Sequence, residues 1–108
     1  MAGNFWLTKF GKEADFSWCE FNGSAFFWNA QFDGSATFLS TKFYRGTDFS
    51  GACFNKDADF IGAEFSETAL FIDSRFKGSA KFYAVDFNHG LDLIIVFNIT
   101  NLIYRTGI

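Results

Sequence analysis

A chain of 108 residues whose 12 acidic and 9 basic side chains are scattered, for a net charge of −3, has the length of one domain and lacks the basic patch that nucleic-acid binding needs. Its 18 Phe and 10 Gly, with no Pro and hydrophobic residues at 49%, require many rings to be buried. Internal repetition therefore has to be tested before an ordinary globular core is assumed.

The opening stretch, "MAGNFWLTKF", has no basic segment leading into an apolar run, so no secretory leader is expected and a cytoplasmic location is the default. From Phe5 a series begins: Phe5, Phe10, Phe16, Phe21, Phe27, Phe32, Phe38, Phe43, Phe49, Phe54, Phe60, Phe65, Phe71, Phe76, Phe82 and Phe87. Its steps alternate between five and six residues without an error. Two places before each Phe, from Phe10 onward, stands a small or β-branched residue: Thr8, Ala14, Cys19, Ala25, Ala30, Ala36, Thr41, Thr47, Ala52, Ala58, Ala63, Ala69, Ser74, Ala80 and Val85.

A helix cannot use this spacing. A step of five rotates a helical side chain by roughly 140°, so alternate rings point to different faces, and Gly, Ser, Thr, Asp and Phe are mediocre or poor helix formers. A continuous strand fails as well, because side chains alternate sides with a period of two. The remaining solution is a short extended segment with the small residue and the Phe both facing inward, then a turn, so that the chain winds into stacked coils. With three sides the extra residue would change corner from coil to coil. With four, every coil has 22 residues and the extra residues stay in register. Phe ladders then fill the interior, among them Phe10, Phe32, Phe54 and Phe76, and Phe16, Phe38, Phe60 and Phe82.

Residues flanking each Phe should face outward. Apolar side chains recur just after the Phe, with Trp6, Trp28 and Ile72 in one column, Leu39, Ile61 and Tyr83 in another, and Trp18 close to the second. Contiguous exposed apolar surface marks an interaction site, although such residues also suit sheet faces in general. Carboxylates recur just before the Phe slot, at Asp15, Glu20, Asp48, Asp59, Glu64, Asp86 and Asp92, but Lys42, Lys81 and Arg75 hold the same outward position in other repeats. Cys19 sits in a buried small-residue position and Cys53 in an outward one, with no metal-ligand spacing and no bridge expected. His89, the lone histidine, falls at a corner with no acid or nucleophile fixed beside it. No catalytic residue, metal site or cofactor is expected.

"TDFSGACF" (Thr47 to Phe54) and "ADFIGAEF" (Ala58 to Phe65) resemble the Phe-centred motif of the pentapeptide repeat proteins. The resemblance extends over about residues 5–93 and implies an all-β, right-handed quadrilateral β-helix of about four to five coils. It departs from the simple motif by one extra residue in every second repeat, at Glu13, Ser24, Ser35, Gly46, Asp57, Thr68 and Ser79. Some family members with acidic surfaces imitate DNA and regulate type II topoisomerases; the mixed charges here favour instead a non-enzymatic scaffold for a protein partner.

The chain accordingly divides into a solenoid, residues 1–93, and a segment 94–108 that caps it or pairs with another copy. Leu93 keeps the Phe register and "IIVFNITNLIY" (Ile94 to Tyr104) loses it. The stretch from Leu91 to Tyr104, with Asp92, Asn98 and Asn101 inside, is too short and too polar for a membrane span. A homodimer through one solenoid end, with the C-terminal end favoured, is the expected assembly.

Overall fold

In the structure, a computed structural model, residues 3–87 are described throughout, and beyond them the backbone of strands Ile94–Ile95 and Leu102–Thr106. Two kinds of corner organise the chain. After Phe5, Phe16, Phe27, Phe38, Phe49, Phe60 and Phe71 comes a two-residue turn, closed by an N–H donating to the Phe carbonyl, as from Thr8 to Phe5 (3.2 Å) and from Thr41 to Phe38 (3.1 Å). The second turn residue takes a left-handed backbone: Leu7, Trp18, Asn29, Ser40, Gly51, Gly62 and Asp73 have φ between 52° and 70°. That positive φ at the third position is the signature of a type II turn. These turns make the five-residue steps.

The six-residue steps bend over three residues, and the inserted one belongs to the ladder. Its carbonyl accepts the N–H of the small residue one coil back, as from Ala14 to Ser35 and from Ala36 to Asp57 (both 3.0 Å). At one such corner Lys12, Gly34, Lys56 and Gly78 lie above one another. A Cβ on Gly34 would stand 2.6 Å from the Lys12 carbonyl carbon, and one on Gly78 2.6 Å from that of Lys56, so these coils approach too closely for a side chain.

Between corners run two-residue strands, paired in parallel with the equivalent strands of adjacent coils. The first face holds Gly3–Asn4, Ala25–Phe26, Thr47–Asp48, Ala69–Phe71 and Ile94–Ile95. Lys9–Phe10, Gln31–Phe32, Cys53–Phe54 and Arg75–Phe76 form the second. The third contains Ala14–Asp15, Ala36–Thr37 and Ala58–Asp59, and the fourth Glu20–Phe21, Lys42–Phe43 and Glu64–Phe65. A longer strand, Ala80–Phe87, runs round the corner and pairs with both of the last two. The register is 22 residues among the strands up to Phe87, Phe32 opposite Phe54 and Phe54 opposite Phe76. The chain is thus an all-β, four-sided solenoid.

Parallel pairing at the sheet spacing stacks like on like. In all four ladders successive rings lie 4.7–5.2 Å apart and within 13° of parallel, from Phe5 on Phe27 to Phe65 on Phe87. Rings of opposite faces meet edge-on across the interior, such as Phe38 against Phe49 (5.2 Å, 86°). Both are favoured aromatic geometries. Phe21, Phe27, Phe32, Phe38, Phe43, Phe49, Phe54, Phe60 and Phe65 are fully buried, each contributing about 1.5–3 kcal/mol by removal from water. The alanine columns are buried beside them and leave room for the rings. Where a hydroxyl replaces alanine it is satisfied: Thr41 Oγ1 donates to the Phe16 carbonyl (2.6 Å) and Ser74 Oγ to that of Phe49 (2.8 Å).

Two expectations need correction. Phe10 and Phe16 are only half-buried, with one stacking neighbour each, Phe32 and Phe38; Phe21 also has one, Phe43, but is fully buried with Gly3 close against its ring. Beyond Phe87, Ile95 rather than Leu93 stands opposite Phe71; two additional residues enter before that strand, and Tyr104 opposite Phe82 restores the 22-residue offset. Leu93 itself, like His89 and Asp92, lies outside the described residues. Among the described residues no helix is long and apolar enough to cross a membrane.

Candidate interaction surface

Each extended segment turns its small residue and Phe inward, which sends the residues just before and just after the Phe outward. On the first face these form two adjacent columns. Asn4, Phe26, Asp48 and Leu70 stand opposite one another through the strand register. Beside them run Trp6, Trp28, Ser50 and Ile72, linked coil to coil by Leu7 N–H to the Trp28 carbonyl (2.9 Å), Asn29 to Ser50 (2.9 Å) and Gly51 to Ile72 (2.8 Å).

The upper half of this face is aromatic. Trp6, Phe26 and Trp28 are 48%, 45% and 43% exposed, and the two indoles lie 6.1 Å apart at 47°. With Asn4 and Asp48 they line an open cleft of about 450 Å³. Asp48 is half-buried, and its Oδ1 accepts the Ser50 N–H at 2.8 Å. Ser50 interrupts the expected Trp6, Trp28 and Ile72 column, leaving Ile72 exposed two coils below the indoles.

Phe26 is the residue that sequence reasoning passed over. Its signal was present, since it is a phenylalanine immediately preceding a member of the series and therefore the wrong parity for the core. Leu70, on the same column, is half-buried.

On the third face Leu39, Ile61 and Tyr83 follow one another in successive coils and are half-buried. Trp18 stands at the corner after that face in the first coil and is 72% exposed; its N–H donates to the Leu39 carbonyl (2.8 Å). The structure thus keeps the Leu39 column and Trp18 apart from the Trp6 and Trp28 cleft, on a different side of the solenoid.

The other faces are polar and mixed in sign. Lys9 pairs with Asp33 (3.8 Å), Lys42 with Glu64 (3.9 Å) and Arg45 with Glu67 (3.5 Å), each across one coil step and open to solvent, where such pairs contribute little. The Gln31 amide above all holds the Asp33 carboxyl below the usual carboxylate range; desolvation opposes it, and Asn55 and Lys9 add to the lowering. Asp15 is likewise lowered, by the Ser17 hydroxyl and backbone N–H. Cys19 and Cys53 are free and half-buried, Cys53 Sγ donating to Asn55 Oδ1 (3.3 Å). Among the described residues no three His, Cys, Asp or Glu side chains gather where they could hold a metal ion.

Residues 16–64 and 38–86 match the family model for pentapeptide repeats (9 copies). No curated protein and no solved structure matches the chain. Two thirds of the sequence fall within the matched span, and the coil that the match implies is the one the Phe ladders build: the chain belongs to the pentapeptide repeat family.

Proposed function

We propose that this protein is a non-enzymatic scaffold whose first face receives a protein partner. The observation that supports it is the contiguous Trp6, Phe26 and Trp28 surface, three large apolar side chains nearly half exposed on a sheet that the stacked core holds rigid. Aromatic side chains cost little conformational entropy to immobilise and are the usual anchors of interfaces.

Affinity capture with the wild-type chain, and with Phe26→Ser and Trp28→Ser variants of unchanged melting behaviour, tests the reading. A specific partner should be captured by the first and lost by both variants; capture that ignores both substitutions overturns it. A second copy of the chain is one partner to examine, and light scattering on the intact chain and on one ending at Gly90 reports whether the C-terminal segment supports a dimer.

A further inference from the structure

We infer that the cleft between Trp6, Phe26, Trp28 and Asp48 receives a quaternary or N-methylated ammonium group. This rests on the reading of the first face as an interaction surface and names the chemistry that the surface recognises. Four features point the same way. Three aromatic rings border one open space, and the two indoles among them lie with centroids 6.1 Å apart, inclined at 47° to each other. A cation resting against these rings is drawn to them by their quadrupoles.

Second, among the described residues the charged side chain lining the cleft is a carboxylate, Asp48, with Asn4 the other polar group and no lysine or arginine beside them. Third, the Ser50 N–H holds Asp48 Oδ1, so the negative charge is fixed on the wall of the cleft before any ligand arrives, and the strand register keeps Asp48 beside Phe26. Preorganisation of this kind removes the ordering cost of binding. Fourth, methylation spreads the ammonium charge and weakens its hydration, so such a group leaves water more readily than the strongly hydrated lysine ammonium.

The probes are tetramethylammonium, the N-acetyl amide of trimethyl-lysine, the same amide of unmodified lysine, and its neutral isostere with carbon in place of the quaternary nitrogen. Fluorescence is followed in a Trp18→Phe background, where the remaining indoles are the two of the cleft. Both quaternary cations should bind saturably, with the neutral isostere at least about tenfold weaker and unmodified lysine between them. Asp48→Asn, which can still accept from Ser50, should weaken the cations at least about threefold and leave the neutral isostere unchanged. Trp28→Leu should weaken the cations at least about fivefold.

Trimethyl-lysine amide that binds well above tetramethylammonium supports a modified side chain of a partner as the source. Parity supports a free small cation. Equal binding of cation and neutral isostere overturns the ammonium assignment while leaving an apolar docking face. Saturation by a glucose oligomer and not by the cations overturns it in favour of a sugar. No binding of any probe, together with partner capture that ignores Phe26→Ser, overturns both readings.

Discussion

Replacing Phe54 by alanine should show how the ladders hold the solenoid. The ring is fully buried and stacked at 4.7 Å on both Phe32 and Phe76, 3° from parallel in each case. Phe60 meets it edge-on and Phe49 at a tilt, both at 6.1 Å. Truncation removes all four contacts and leaves a gap that the neighbouring coils cannot close without breaking their own strand pairing. Phe-to-Ala changes in cores cost about 3–5 kcal/mol, and the two stacked pairs, each contributing roughly 0.5–1.5 kcal/mol beyond burial, place Phe54 in the upper part of that range. Phe10 is half-buried and has a single stacked neighbour, Phe32 at 4.8 Å, so Phe10→Ala should cost about half as much. Urea midpoints of the two variants and the parent, at unchanged slope, make the comparison. Equal losses, or a Phe54→Ala loss below about 1.5 kcal/mol, would refute the argument that ring stacking across coils carries the fold.

Gly51→Ala should cost about 1–2 kcal/mol, because φ is +70° and the new Cβ would collide with Asn29 Oδ1, whereas Gly11→Ala, with nothing within 4 Å, should stay within about 0.5 kcal/mol in the same melts. Trp18→Asn, at φ +62°, should be neutral or stabilising by up to about 1 kcal/mol, since Asn tolerates the left-handed region; a clear loss in thermal melting would contradict the backbone assignment. Acid should destabilise the protein through Asp15 and Asp33: both folded pKa values lie below the ordinary 3.8, so their contribution is present above that value and disappears as pH falls through the folded values. Urea midpoints between pH 6 and pH 3 should fall less in an Asp15→Asn, Asp33→Asn variant than in the parent, and an identical fall would count against those bonds. Supercoiling by DNA gyrase should be unaffected at micromolar protein, as Lys42 and Lys81 interrupt the carboxylate columns; salt-sensitive inhibition abolished by neutralising Asp48, Asp59 and Glu64 would reverse that view.

The coil was legible because its determinant is a spacing. Alternating steps of five and six among the phenylalanines exclude both regular periodicities and demand four sides, and small residues two places before each ring specify the interior. Corners were less legible. Leu7 and Trp18 adopt the same left-handed backbone as Gly51 and Gly62, because ladder hydrogen bonds on both sides of the turn override the residue's own preference, and nothing in their identity signals it. Asp57 is marked in the sequence only as an inserted residue, yet its Oδ1 accepts the Ser79 N–H of the next coil at 2.9 Å, a pairing visible only once the coils are stacked. The Trp6 and Trp28 half of the cleft followed from column arithmetic. Phe26 and Asp48 did not, since they lie in the neighbouring column and join the indoles only through lateral packing on the sheet.

Identical phenylalanines in every ladder give the rings no means of telling one coil from another. A chain that looped out its second coil during folding would still find Phe54 ready to stack on Phe10, with no loss of ring contact. The corner of Lys12, Gly34, Lys56 and Gly78 does discriminate, because that error would seat Lys56 directly on Lys12, where glycine now allows the backbones to meet, and would crowd two like charges into one corner. The rings supply adhesion that is alike at every level, and the order of the coils is marked by the places where they differ, this corner among them.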